Sequence, residues 1–263
     1  MADNGKTILI KVGTSTLTHT TGKTNLRRME ELVCVLSDLR NAGHNVALVT
    51  SGAIGIGFGK LDLEARPKDT PARQAAATIG QCELMFMYDK MFSQYGHIVG
   101  QLLITRDDVV SEERRENLAP TFERLFGFGA IPIINENDAV AGAVSVYGDN
   151  DQLSAAVAVL IGADALIILT ETDGLYTADP ACDPNATRIP VVETLTEEIW
   201  GHVEDTTTKL GTGGMATKLK AAETCMKAGI DTYIICGKNP RDIYKILEGE
   251  DVGTHFMGGR KHA

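Results

Sequence analysis

The stretch Thr7-Ile-Leu-Ile-Lys-Val-Gly-Thr-Ser15 (TILIKVGTS) decides the fold. Six residues that favour extended backbone run into a glycine and two small hydroxyls, which reads as a short strand ending in a tight loop. Apart from Lys11 the run is apolar, as a strand covered on both faces must be. A lysine at the end of such a strand either reaches solvent or meets an anion.

The same signal recurs along the chain. Asn45–Thr50, Ile98–Thr105, Ala130–Asn135, Ala165–Thr170 and Thr232–Cys236 read as further strands. Helical patterns lie between them. Leu26, Met29, Leu32, Val33, Leu36 and Leu39 recur at helical spacing, and Gly43 supplies the stop. Pro71 to Gln94 and Asp151 to Ile161 are two more helical stretches, and Met215, Leu219, Ala222 and Met226 form a stripe ended by Gly229. Apolar strands alternating with helices predict an α/β fold, a mostly parallel sheet with helices on both faces. No Pro/Ser-rich linker or internal repeat divides the chain, so one domain is expected, with a small hairpin around Ala141–Gly148.

Composition narrows the function. The 263 residues carry 25 basic and 35 acidic side chains, a formal charge of −10. No basic run offsets it, which argues against nucleic-acid binding. The apolar run Thr7–Val12 is too short for a signal sequence or a membrane span. Five scattered cysteines without a C-x-x-C pair fit a reduced, cytoplasmic setting. The six histidines show no H-E-x-x-H spacing, so no dedicated metal site is expected.

In open parallel sheets ligands sit beyond the carboxyl ends of the strands. Here those ends run into Gly13-Thr-Ser15, Ser51-Gly-Ala-Ile-Gly-Ile-Gly57, Asn135-Glu-Asn-Asp138 and Thr170-Glu-Thr-Asp-Gly174. Four polar loops would converge on one crevice. Lys209-Leu-Gly-Thr-Gly-Gly-Met-Ala-Thr-Lys218 adds a glycine-rich loop that opens a helix. It fits neither the Walker A spacing nor a dinucleotide fingerprint after a strand. Its glycines would still let helix amides approach a phosphate, with Lys218 as a point charge; the plainer reading is a glycine-rich helix cap. Ser51 and Gly52 read either as a flexible loop or as an anion nest suited to a carboxylate. Ser51 is not a nucleophile elbow, since Val49 and Ala53 stand where glycines are needed. Asn135–Asp138 and Gly148-Asp-Asn-Asp151 are the densest carboxylate runs, and neither has calcium-loop spacing.

Together, IKVGTSTLT (10–18), VTSGAIGIG (49–57), NENDAV (135–140), GDNDQLSA (148–155), GLYTADP (174–180), LGTGGMATK (210–218) and GTHF (253–256) resemble the amino-acid kinase family, in order and over nearly the whole chain. The resemblance implies a three-layer α/β/α sandwich and ATP-dependent phosphorylation of the γ-carboxylate of L-glutamate, the first step of proline biosynthesis. On it, Lys11 and Lys218 would stabilise the transferring phosphoryl group and Asp151 would orient both lysines. Ser51, Gly52, Asn135, Asp138 and Asn150 would bind glutamate. Gly13, Thr170, Glu171 and the loop Thr212, Gly213, Gly214, Met215, Ala216, Thr217 and Lys218 would hold ATP. The family often has aspartate where this chain has Glu171, one methylene longer. Mg2+ would arrive on ATP without a metal site of the protein's own. The resemblance also implies a homo-oligomer and feedback inhibition by L-proline. Many relatives continue into a small PUA-like domain, whereas this sequence stops at Ala263 and is expected to hold the kinase domain without one. Two alternatives stand beside this reading. One is a kinase of the same fold acting on N-acetylglutamate, aspartate, carbamate or UMP; Asp138 speaks against an acetylated amine, which would leave that carboxylate without an ionic partner. The other is a non-catalytic amino-acid sensor, against which both lysines and Asp151 weigh.

Overall fold

The computed structural model describes residues 5–19, 23–62, 69–141, 150–204 and 214–259. Ten strands are found there: β1 (Thr7–Val12), β2 (Asn45–Thr50), β3 (Val99–Ile104), β4 (Ile131–Glu136), β5 (Ala165–Thr170), β6 (Leu175–Tyr176), β7 (Arg188–Ile189), β8 (Val191–Val192), β9 (Asp231–Cys236) and β10 (Thr254–Phe256). The helices are α1 (Thr14–Leu17), α2 (Leu26–Asn41), α3 (Ala53–Lys60), α4 (Thr70–Ser93), α5 (Arg106–Val110), α6 (Glu112–Gly127), α7 (Asn150–Leu160), α8 (Glu197–Glu204), α9 (Met215–Lys227) and α10 (Asp242–Leu247). Eight strands form one sheet in the order β3-β4-β2-β1-β5-β9-β10-β8, parallel except where β10 meets β9. β6 and β7 make a separate small ribbon.

Strand parity explains the three layers. Successive side chains of a strand point to opposite faces. In β1, Ile8, Ile10 and Val12 enter the core under α2 and α4, whereas Leu9 enters the core under α6, α7 and α9. Lys11 has the parity of Leu9, so it faces the α7–α9 layer. In β2, Val46 and Leu48 go with the first core, Ala47 and Val49 with the second. The expected mostly parallel α/β/α sandwich is what forms. The chain leaves β1 for β2 on one side and later returns to place β5 on the other. The sheet therefore has its switch point between β1 and β5, where a crevice opens at the carboxyl ends.

Several expectations need correction. The Ser51–Gly57 segment is not all loop: only Ser51 and Gly52 lie outside α3, and Gly52 takes the left-handed φ of 109° that starts it. Gly57 is helical because α3 lies backbone against backbone on α4; a Cβ there would sit 1.8 Å from the Ala76 carbonyl oxygen. α5 and α6 were not expected; within them only Val109 and Phe122 are buried, and Phe122 with the partly buried Leu118 and Phe126 forms the stripe that packs α6 on the core. The hairpin expected around 141–148 falls almost wholly outside the described residues. Among the described residues, no helix is long and apolar enough to cross a membrane.

Candidate active site

At the switch point one carboxylate holds two ammonium groups. Asp151, in the first turn of α7, is fully buried, and Lys11 and Lys218 are 3% and 6% exposed. Lys11 Nζ lies 2.6 Å from Asp151 Oδ1, and Lys218 Nζ donates to Oδ2 at 3.1 Å. Thr217 Oγ1 also donates to Oδ2, at 2.9 Å. The three charges come from β1, α7 and α9, so the tertiary fold alone brings them together. The cluster is enclosed, where Coulomb terms are weakly screened. Two ammonium groups held side by side suit the oxygens of a phosphoryl group.

Around this cluster the loops supply amides with little steric cover. A Cβ on Gly13 would lie 3.8 Å from Lys11 Nζ, so the backbone there runs beside the ammonium. Ser51 N–H donates to the Val12 carbonyl at 3.2 Å, and Gly52 faces the methyl of Thr14. The loops after β1 and β2 thus share one wall. On the other wall Gly214 caps α9 with extended backbone, followed by half-buried Met215, exposed Ala216 and half-buried Thr217. The helix amides open toward the same crevice. Thr217 Oγ1 also bonds the Gly214 carbonyl at 2.8 Å, and Gln152 donates to the Thr217 carbonyl at 3.0 Å, tying α9 to α7. Thr170 ends β5 half-buried, with Glu171 exposed beyond it. Thr212 and Gly213 lie outside the described residues.

Across the crevice from α9 is a ladder of polar side chains. Asn150 Nδ2 lies 2.7 Å from the Thr50 carbonyl, 2.8 Å from Ser51 Oγ and 2.9 Å from Asn135 Oδ1. Asn135 Nδ2 in turn donates to Gln81 Oε1 at 2.8 Å. Beneath Ser51, the Tyr88 hydroxyl meets Thr50 Oγ1 at 2.8 Å inside the core, and burial pushes its pKa above the usual phenol range. Asp138 sits two residues past β4. Its carboxyl is pushed up to about 6, first by burial and then by the charge of Glu136, with Arg73 of α4 opposing. Among the described residues no ion pair within 4.0 Å is found for it.

The structure brings Lys11, Asp151, Thr217 and Lys218 into one cluster, and Ser51, Asn135 and Asn150 into one hydrogen-bonded ladder. Gln81, Tyr88 and the Thr217–Asp151 bond had no recognisable motif. Gln81 and Tyr88 stand seven apart on α4, one face of a helix, so an otherwise apolar stripe (Ala77, Leu84) broken by two polar residues was the available signal. Among the described residues, no group of three or more His, Cys, Asp or Glu could hold a metal ion.

A model of the amino acid kinase family matches residues 6–236. A glutamate 5-kinase of Listeria welshimeri is 50% identical over 262 residues, covering 98% of this chain and 95% of that protein. A glutamate 5-kinase of Clostridium acetobutylicum is 48% identical over 258 residues, 98% of this chain and 97% of that protein. Among solved structures, carbamate kinase from Giardia lamblia bound to AMP-PNP is similar, with a TM-score of 0.68 and 16% identity over 98% of this chain and 99% of that one. UMP kinase from Bacillus anthracis gives a TM-score of 0.67 and 20% identity over 97% and 96%. The two structures share the fold; the curated relatives share half the residues over nearly the full length. The chain belongs to the amino acid kinase family.

Proposed function

We propose that this enzyme transfers the γ-phosphoryl group of ATP to the γ-carboxylate of L-glutamate, giving L-glutamyl 5-phosphate and ADP, the first step of proline biosynthesis. The reading rests on one observation above all: a buried Lys11–Asp151–Lys218 cluster, two ammonium groups held by one carboxylate at the sheet's switch point. The glutamate 5-kinase relatives, about half identical throughout, support the choice of acceptor.

The chemistry needs little from the protein beyond charge and position. A glutamate side chain has a reference pKa near ~4.3, so at neutral pH its carboxylate is already the nucleophile. One carboxylate oxygen forms the new bond to the γ-phosphorus, the bond from that phosphorus to the β,γ-bridging oxygen breaks, and its electron pair leaves on ADP. No proton has to be removed, so no general base is assigned. Lys11 and Lys218 neutralise charge spread over the equatorial oxygens, and Asp151 holds both in place. Gly13, Thr170, Glu171 and residues 212–218 hold the nucleotide. Ser51 and Gly52 take the α-carboxylate, and Asp138, with Asn150 and Asn135 nearby, takes the α-ammonium. That ammonium would pair with the Asp138 carboxylate. Mg2+ is expected to ride on the phosphates, which suit a hard, hydrated cation. With all Asp151 oxygens turned to lysines and Thr217, that residue is a poor metal ligand. One domain carries all of this, in the cytoplasm where ATP is at hand. The five cysteines are free thiols, in keeping with that setting.

A coupled ADP-release assay over glutamate, N-acetylglutamate, aspartate, carbamate and UMP tests the reading. Glutamate alone should support turnover. A better rate with another acceptor would reassign the substrate, and no ADP with any of them would favour a sensor. Proline carries the same α-carboxylate and an ammonium, so it is proposed to compete at Ser51 and Asp138. Millimolar proline at subsaturating glutamate should inhibit, and more glutamate should relieve it.

A further inference from the structure

Gln81 stands outside the catalytic cluster, on α4, yet it terminates the polar ladder that runs through Asn135 and Asn150 to Ser51. Carboxamides look alike from either end, so what fixes their orientation matters. Two backbone groups tell oxygen from nitrogen here. Glu136 N–H donates to Asn135 Oδ1 at 2.9 Å, which makes that atom an oxygen and turns Asn135 Nδ2 toward Gln81. The Thr50 carbonyl can only accept, so the Asn150 atom 2.7 Å away is Nδ2. With its Nδ2 committed to the ladder, Asn150 has Oδ1 left as the group it can offer a ligand.

Gln81 supplies the acceptor for Asn135 Nδ2. It is 8% exposed, and its own Nε2 is buried without an acceptor among the described residues. A methionine or leucine would fill the same space without enclosing an unsatisfied donor, so packing alone does not account for the amide. Its placement is rigid. A Cβ on the adjacent Gly80 would lie 1.8 Å from the Ala53 carbonyl oxygen, so α4 is locked against α3, which begins right after Ser51-Gly52. The ladder also spans the sheet, since α4 and α7 pack on opposite faces.

We propose that Gln81 is a positioning residue: through its bond to Asn135 it holds the Asn135 and Asn150 amides in the orientation that presents Asn150 Oδ1, an acceptor, to the ammonium of the amino-acid substrate. The inference rests on the glutamate reading and deepens it. Without the Gln81 acceptor, Asn135 Nδ2 loses its buried partner, and the Glu136 N–H bond is left to hold that amide against Asn150. The phosphoryl cluster shares no bond with Gln81, so its work is untouched.

The test compares Gln81→Met, which keeps length and removes the acceptor, with Gln81→Glu, which keeps an oxygen facing Asn135. In Gln81→Met the KM for glutamate should rise about tenfold, the scale of one lost buried hydrogen bond, with the KM for ATP and kcat within about twofold of the parent. Gln81→Glu should restore the glutamate KM to within about threefold. An unchanged glutamate KM in a folded Gln81→Met would overturn the proposal, as would equal losses for glutamate and ATP. Should the methionine variant not fold, Gln81→Glu decides: a tenfold or larger rise in its glutamate KM sinks the idea. If the parent enzyme itself does not use glutamate, it is the function that fails, which separates the two claims.

Discussion

At the scale of single residues, Asp151 is fully buried and held by Lys11, Lys218 and Thr217. Removing its charge would leave two buried ammonium groups facing each other, and breaking a buried pair costs about 3–5 kcal/mol. Asp151→Asn should therefore lower unfolding free energy by that order in urea titration, and abolish most turnover. Lys11→Ala and Lys218→Ala should be milder for stability, since each leaves Asp151 with the other lysine. Their cost falls on catalysis: kcat should drop about 10²-fold or more with the glutamate KM little changed, because charge builds between them only in the transition state. Weaker ATP binding with normal kcat would make either lysine a ground-state contact. Asp138 differs again. Its carboxyl is raised to about 6, so the folded protein binds that proton more tightly than the unfolded chain. The ionised form therefore opposes folding, with the penalty growing from the unfolded value near ~3.9 and complete above about 6. Ammonium binding needs the ionised form and pulls the pKa down. Glutamate affinity should hold above pH 6 and be lost as pH falls through it, while Asp138→Asn should bind weakly by about 2–5 kcal/mol and lose this pH step. A glutamate KM flat from pH 5 to 7.5 in the parent would remove Asp138 from the substrate pocket.

At the scale of elements, the helix pair α3 and α4 is where sequence reading and structure part. Strands were legible because their apolar runs are short, buried and bounded by glycine or polar loops; β1, β2 and β5 have the ends expected. α3 was not, because Gly52, Gly55 and Gly57 punctuate it as a loop would. The physical reason for Gly57 lies in α4, at Ala76 and Gly80, and no local pattern carries that information. The catalytic cluster was legible only through family motifs, since residues 11, 151 and 218 meet through the fold. Of the ladder, Ser51, Asn135 and Asn150 were legible through the family motifs, whereas Gln81 was not, because one amide in a helix stripe looks like an ordinary solvent-facing residue. The tight helix contact makes its own prediction. Gly80→Ala gains about 1 kcal/mol of helix propensity but drives a methyl to 1.8 Å from a backbone carbonyl oxygen. Overpacking of that kind costs about 1–3 kcal/mol or more when backbones must separate. The clash should win, lowering the thermal midpoint. Because α3 follows Ser51-Gly52 and α4 carries Gln81, the glutamate KM should rise as well, ahead of that for ATP. A stabilised Gly80→Ala would mean the helices can spread at little cost.

At the scale of the whole molecule, a chain of net charge −10 has to attract two anions, ATP and glutamate. No run of basic residues in the sequence offsets that charge. Two of its cations, Lys11 and Lys218, are enclosed with Asp151, while the net charge of the chain as a whole repels anions. Salt acts unequally on these two terms. Exposed charges more than a Debye length apart, about 10 Å at 0.1 M, are screened, whereas enclosed pairs are screened far less. Raising ionic strength should therefore weaken long-range repulsion more than it weakens the attraction in the crevice. For an enzyme steered by a basic surface, kcat/KM falls steeply with salt. For this one, kcat/KM for glutamate and for ATP should stay level or rise as sodium chloride goes from about 10 to about 150 mM, with free magnesium held fixed in excess. Lys218→Ala, which removes one enclosed cation, should keep the same salt profile at a lower rate, because the surface that produces the profile is unchanged. A steep fall in the parent enzyme, flattened in Lys218→Ala, would show that the cluster's field reaches into solvent and guides the anions in.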